Sequence, residues 1–125
     1  MKASKTVPYE PMVQIEKVFM PSLYICGLNT PSCVQFLINR ERFTIGSGTE
    51  NDGVVDFAAM ALSPAHCIIE YADEGYSVSD CGSVNGTFVN NRRLLPEMKT
   101  PLRDGDQLRL GMAVFSVDEI VQEER

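Results

Sequence analysis

The amino-acid sequence predicts an all-β fold, a β-sandwich or barrel rather than an α/β arrangement. Short apolar or alternating runs recur at roughly 8–12-residue spacing, the signature of many-stranded all-β domains. Turn formers separate them, with Gly, Pro, Asn, Asp and Ser clustered in every gap. The two stretches that could be helical are short and end at proline, whose predecessor avoids the α region. At 125 residues the chain fits one domain large enough to bury a core.

Taken in order, LYIC (23–26) is strand-like and is followed by the loop GLNTPS. CVQFLIN (33–39) and RFTIG (42–46) come next, then the loop SGTEND and GVVDF (53–57). FAAMAL (57–62) is rich in helix formers, but Ser63-Pro64 stops it, so a loop with one helical turn is expected. HCIIEY (66–71) and YSVSD (76–80) flank Asp73-Glu74-Gly75, and Asp104-Gly105 precedes QLRL (107–110). Both are hairpin signals in which glycine would supply the positive φ. RRLL (92–95) and AVFSV (113–117), the latter after Gly111, complete the series. PMVQIEKVFMP (11–21) lies between prolines and suits a helix face or a strand equally, so residues 1–21 read as an extension packed on the main body. Residues 22–120 then form the domain and 121–125 a tail.

The formal net charge of −6 works against non-specific binding to nucleic acid or an anionic membrane surface, both of which need a basic patch. No run approaches the roughly 18 apolar residues of a membrane span, and MKASKTVPYEP lacks the apolar stretch of a secretory signal. Cys26, Cys33, Cys67 and Cys81 form no CxxC pair, and the single histidine, His66, neighbours only one of them. Buried free thiols in a reducing, cytoplasmic setting are expected, with no metal site and no cofactor. Gly46-Ser47-Gly48 has no following lysine or helix, which argues against a nucleotide cradle. His66 has no partner that would make a catalytic triad. No acid–base, nucleophile or metal set is recognisable, and a non-enzymatic protein is expected.

The stretch DCGSVNGTFVN (80–90) carries a polar middle between two strand-like runs. Together with FTIGSGTEND, LSPAHCIIEY and LRDGDQLRLG it resembles the forkhead-associated (FHA) domain, in order and in spacing, over about residues 22–120. The resemblance implies an eleven-stranded, antiparallel or mixed β-sandwich of the SMAD/FHA type, whose loops bind phosphothreonine peptides. Family motif positions map onto Gly46, Ser63, His66 and Asn85-Gly86-Thr87. The resemblance therefore implies a phosphate-facing hydroxyl at Ser63 and a peptide main-chain contact at Asn85. Loop-shaping roles fall to Gly46, His66, Gly86 and Thr87.

Three positions depart from the family pattern. Ser47 stands where the family has arginine after the glycine, Pro64 replaces a basic or amide residue, and Val84 replaces a hydroxyl residue. Arginine suits a phosphate carrying roughly −1.5 to −2 charge through paired, charge-assisted hydrogen bonds; serine and valine bring no charge. The expected function is a protein-interaction module of a signalling assembly, its phosphothreonine binding weakened or lost. Its loop end, around Ser47, Ser63, Val84 and Asn85, would bind a protein or peptide partner whose threonine phosphorylation is left open. Two alternatives stand beside it. One is a structural FHA-like domain assembling through sheet faces or edges. The other is functional phosphothreonine binding with the cation supplied by Arg92 or Arg93. Strand alternation sends those two to opposite faces and does not choose between them. Arg40 and Arg42, ahead of the glycine-rich loop, read as solvated strand-end charges.

Overall fold

A computed structural model of the chain describes residues 20–121. The expected extension therefore lies outside the described residues except for its last two positions. Eleven strands follow one another: β1 Ser22–Gly27, β2 Gln35–Ile38, β3 Arg42–Gly46, β4 Gly53–Val54, β5 Cys67–Ala72, β6 Gly75–Asp80, β7 Thr87–Val89, β8 Arg92–Arg93, β9 Thr100–Leu102, β10 Gln107–Leu110 and β11 Ala113–Ile120. They form a six-stranded sheet, β2-β1-β11-β10-β7-β8, and a five-stranded sheet, β4-β3-β5-β6-β9. All pairings are antiparallel except β3 with β4, where Ile45 and Gly46 run parallel to Gly53 and Val54. The all-β reading and the mixed sandwich agree with the structure, and FAAMAL contains one 3-10 turn, Ala58–Met60. Among the described residues no helix is long and apolar enough to cross a membrane.

Period-two alternation builds the core. Ala113, Phe115 and Val117 of β11, Leu108 and Leu110 of β10, and Leu23 and Ile25 of β1 all point inward from the larger sheet. Ile45, Ile69, Val78 and Leu102 face them from the smaller one. Phe115, Leu23, Ile25, Ile45, Ile69 and Leu108 are fully excluded from water. Each such side chain contributes about 1.5–3 kcal/mol by leaving solvent. Tyr76 of β6 fastens the two sheets at one end. Its hydroxyl donates to the carbonyls of Pro21, at 2.6 Å, and Ile38, at 3.2 Å. Burial pushes this phenol up to about 12, so it remains a donor across the physiological range.

Several local expectations are corrected. In the β5–β6 hairpin the positive φ values belong to Asp73 (54°) and Glu74 (65°), not to Gly75. A two-residue loop with both positions left-handed matches the twist of its strands, and the register Ala72↔Gly75 makes Gly75 the first strand residue. Asp104-Gly105 is a turn with Gly105 at φ 89°, but it carries the chain from β9 in one sheet to β10 in the other and closes no hairpin. GVVDF yields only the two residues of β4, because Val55 sends its N–H to the Gly46 carbonyl and the chain then leaves the sheet. RRLL is likewise a strand only at Arg92–Arg93. β9 was not anticipated, since Pro101 sits within it; the strand pairs with β6 alone, and proline is tolerated at such an edge. Cys67 is buried and Cys26 and Cys81 half-buried, but Cys33 is exposed, because β2 begins only at Gln35 and leaves Cys33 in the preceding loop.

Candidate functional site

At one pole of the sandwich the loop after β3, the turn before β5 and the loop between β6 and β7 come together. Ser47 N–H donates to the Ser63 carbonyl at 3.0 Å, and Gly48 N–H donates to the Pro64 carbonyl at 3.1 Å. The two loops thus continue the β3–β5 ladder beyond the sheet. Asn51 braces them, its Nδ2 donating to the carbonyls of Gly48 (2.8 Å) and Pro64 (2.6 Å). Gly46 is required by this closeness. A Cβ there would lie 2.1 Å from the Pro64 carbonyl oxygen, well inside any real contact.

His66 joins the turn to the β6–β7 loop. Its Nδ1 accepts from Ser63 N–H at 3.1 Å, which leaves Nε2 protonated to donate to the Gly86 carbonyl at 2.9 Å. The ring is fully buried. Burial pulls it below the ordinary histidine value of 6.5, against the opposing pull of the Gly86 hydrogen bond and the Asp80 charge. The neutral ring therefore makes both bonds and neither nitrogen remains for chemistry.

Asp80 organises the β6–β7 loop. One carboxylate oxygen accepts the N–H groups of Gly82 and Ser83 at 2.9 Å each, and the other accepts the hydroxyls of Ser83 and Thr87 at 2.6 Å each. Burial pushes this carboxyl up, but the donors from Ser83, Thr87 and Gly82 outweigh it and hold Asp80 below its ordinary 3.8. Ser83 Oγ in turn accepts from Gly86 N–H at 2.9 Å. Gly86 has φ 92°, a conformation that side chains disfavour, and a Cβ would also collide with the Arg93 guanidinium.

These supports bring four of the predicted residues to one rim. Ser63 Oγ accepts from Val84 N–H at 2.9 Å, and among the described residues its hydroxyl donates to no protein acceptor. Asn85 is exposed; its Nδ2 donates to the Ala61 carbonyl at 3.1 Å, while its Oδ1 accepts from no group among the described residues. Ser47 is half-buried, and Val84 is 79% exposed.

The arginines separate. Arg93 lies opposite Phe88 in the register, its guanidinium over that ring at 5.7 Å and in a long 3.5 Å contact with the Val84 carbonyl. Arg92 lies opposite Val89, on the other face. Arg40 is held by Asp52 at 3.0 Å, and Arg42 lies opposite Glu70 in the register of β3 with β5. The residues that sequence reasoning missed are Asn51, Asp80 and Ser83. Asp80 had a legible signal: Asp followed two and three residues later by Gly and Ser favours a carboxylate-capped turn. Asn51 had none beyond the turn composition of SGTEND.

A family model of the FHA domain matches residues 43–111, more than half of the chain. The chain belongs to the FHA domain family. FHA domains are interaction modules that bind phosphopeptides. Among curated relatives, protein FraH of Nostoc sp. is 37% identical over 71 residues, which cover 51% of this chain and 25% of FraH. The E3 ubiquitin-protein ligase DMA2 of Saccharomyces cerevisiae is 32% identical over 99 residues, 75% of this chain and 19% of the ligase. The oxoglutarate dehydrogenase inhibitor of Corynebacterium diphtheriae is 32% identical over 77 residues, 62% of this chain and 50% of the inhibitor. The chain thus spans half or less of the length of these relatives. In fold it is similar to the FHA domain of an Arabidopsis thaliana hypothetical protein, with a TM-score of 0.74 at 24% identity over 85% of this chain and 92% of the other. It is also similar to Mycobacterium tuberculosis EmbR, solved with a low-affinity phosphopeptide, with a TM-score of 0.69 at 24% identity over 83% of this chain and 26% of EmbR.

Proposed function

We propose that this FHA domain is a non-enzymatic interaction module whose loop end holds an extended segment of a partner protein, with little dependence on a phosphate. The observation that carries the reading is the state of the rim. Ser63 keeps a hydroxyl proton to give, and Asn85 keeps a carbonyl oxygen to receive, so a peptide main chain finds both a donor and an acceptor. Among the described residues no lysine or arginine side chain hydrogen-bonds to Ser47, Ser63 or Asn85. A hydrogen bond to a charged group contributes about 1.5–3 kcal/mol, and every 1.4 kcal/mol is about tenfold in affinity. One missing guanidinium contact thus turns a micromolar binder into one of about 10–100 μM.

Titration with matched threonine peptides, phosphorylated and unmodified, tests this reading. Comparable affinities, lowered together by Asn85→Ala, are expected. A strong preference for the phosphorylated peptide that vanishes in Ser63→Ala would overturn it.

A second reading, phosphothreonine recognition with Arg93 as the cation, is favoured by one contact: Arg93 already reaches the Val84 carbonyl beside the rim. In that case Arg93→Ala lowers affinity for the phosphorylated peptide alone.

A further inference from the structure

The two sheets end side by side in β8 and β9, and between these edge strands the sandwich opens into a cavity of about 410 Å³. Its lining includes Arg92, Arg93 and Arg103, together with Leu95 and Met98. Leu95 is 66% and Met98 54% exposed, a large apolar area for a surface loop. The chain has only 11 basic residues against 17 acidic ones, yet Arg92 and Arg103 both line this opening, while Arg93 turns its guanidinium away to Phe88 and the Val84 carbonyl.

Arg92 and Arg103 have no ion-pair partner among the described residues. Among the described residues the ion pairs are Arg40 with Asp52 and Lys99 with Glu70, and neither involves the cavity. The one carboxylate in the lining, Asp106, is already committed: Oδ2 accepts the Arg103 backbone N–H at 2.8 Å and Oδ1 accepts the Asn90 amide at 3.0 Å. Two guanidinium groups against this single carboxylate leave the opening with a net positive charge, which an anionic occupant offsets.

We infer that the β8–β9 edge is a second docking site, distinct from the loop end, for an acidic peptide segment of a partner protein that carries one apolar residue. Carboxylates would pair with Arg92 and Arg103, and the apolar side chain would cover Leu95 and Met98. Guanidinium matches carboxylate in paired geometry, and the cavity volume lies in the range of about 300–1,000 Å³ that accepts a few side chains. Strand addition is not the mode. β8 offers two residues and β9 contains Pro101, so neither edge presents a run of free backbone donors.

The test uses the 125-residue chain and a fluorescein-labelled peptide Glu-Glu-Glu-Leu-Glu-Glu followed by anisotropy. Saturable binding that weakens with salt is expected, together with shifts of the Arg92 and Arg103 side-chain N–H signals. Arg92→Glu with Arg103→Glu should weaken binding by about tenfold or more. The milder pair Arg92→Gln and Arg103→Gln should weaken it by less and serves if charge reversal prevents folding. Asn85→Ala should leave it unchanged, which separates this site from the loop end. Absence of saturable binding, insensitivity to both arginine pairs, or loss on Asn85→Ala would each overturn the inference. So would capture of phosphatidylserine vesicles without capture of the peptide.

Discussion

His66 Nε2 donates to the Gly86 carbonyl at 2.9 Å while the same ring, through Nδ1, accepts from Ser63 N–H. One buried imidazole thus spans two loops of the rim, and it can do so only when neutral. Because burial lowers its folded value below 6.5, the unfolded chain takes up a proton first. The stabilisation is whole above pH 6.5 and is lost as pH falls from there toward the folded value. Urea midpoints from about pH 8 to about pH 5 should therefore fall in the native protein. In His66→Gln, already less stable, the same decline should be shallower.

Gly46→Ala places a methyl 2.1 Å from the Pro64 carbonyl oxygen, a backbone atom that cannot swing aside. A loss of about 1–3 kcal/mol is expected from this overpacking, read from the denaturant midpoint. Peptide affinity should drop with it, since the displaced turn carries Ser63.

Ser47→Arg restores a guanidinium where the family carries one. Affinity for a phosphothreonine peptide should rise by about tenfold or more, with that for the unmodified peptide unchanged. Calorimetric titration of the two peptides reads the difference. No gain would mean that the rim geometry, rather than the missing charge, limits phosphate binding.

Thr87→Val removes a 2.6 Å donor from the Asp80 carboxylate while keeping the shape of the side chain. A cost of about 1–3 kcal/mol is expected near neutral pH. Asp80 is held below 3.8 when folded, so its contribution is complete above that pH and disappears as pH falls through the folded value. The gap between native and variant midpoints should narrow in acid.

Glu74→Gly should stabilise the protein modestly. Glu74 sits at φ 65° in the β5–β6 turn, where a side chain costs about 1–2 kcal/mol, and the glycine's unfolded-state entropy returns part of that. A net gain of up to about 1 kcal/mol, seen as a raised thermal midpoint, is expected.

The strands were legible wherever alternation ran long enough, as in β10 and β11, because a strand with one buried face imposes a period of two on its side chains. β4 and β9 were not. Each is defined by a single neighbour in space, and Pro101 reads locally as a breaker. The rim residues Ser63 and Asn85 could be named from motif spacing, but the Asn51 brace could not, because its partners are main-chain carbonyls that any residue supplies. For Arg92 and Arg93, alternation gave opposite faces without saying which face met the rim. That needed the register of Phe88 with Arg93.

β1 and β11 are paired from Ser22↔Ile120 to Gly27↔Phe115, so the backbone enters and leaves the sandwich side by side, at the pole away from Ser63 and Asn85. A dye or tether fixed at Ser22 or Ile120 therefore hangs beneath the molecule. Immobilised in that way on a sensor chip, the domain would present its recognition loops to the solution.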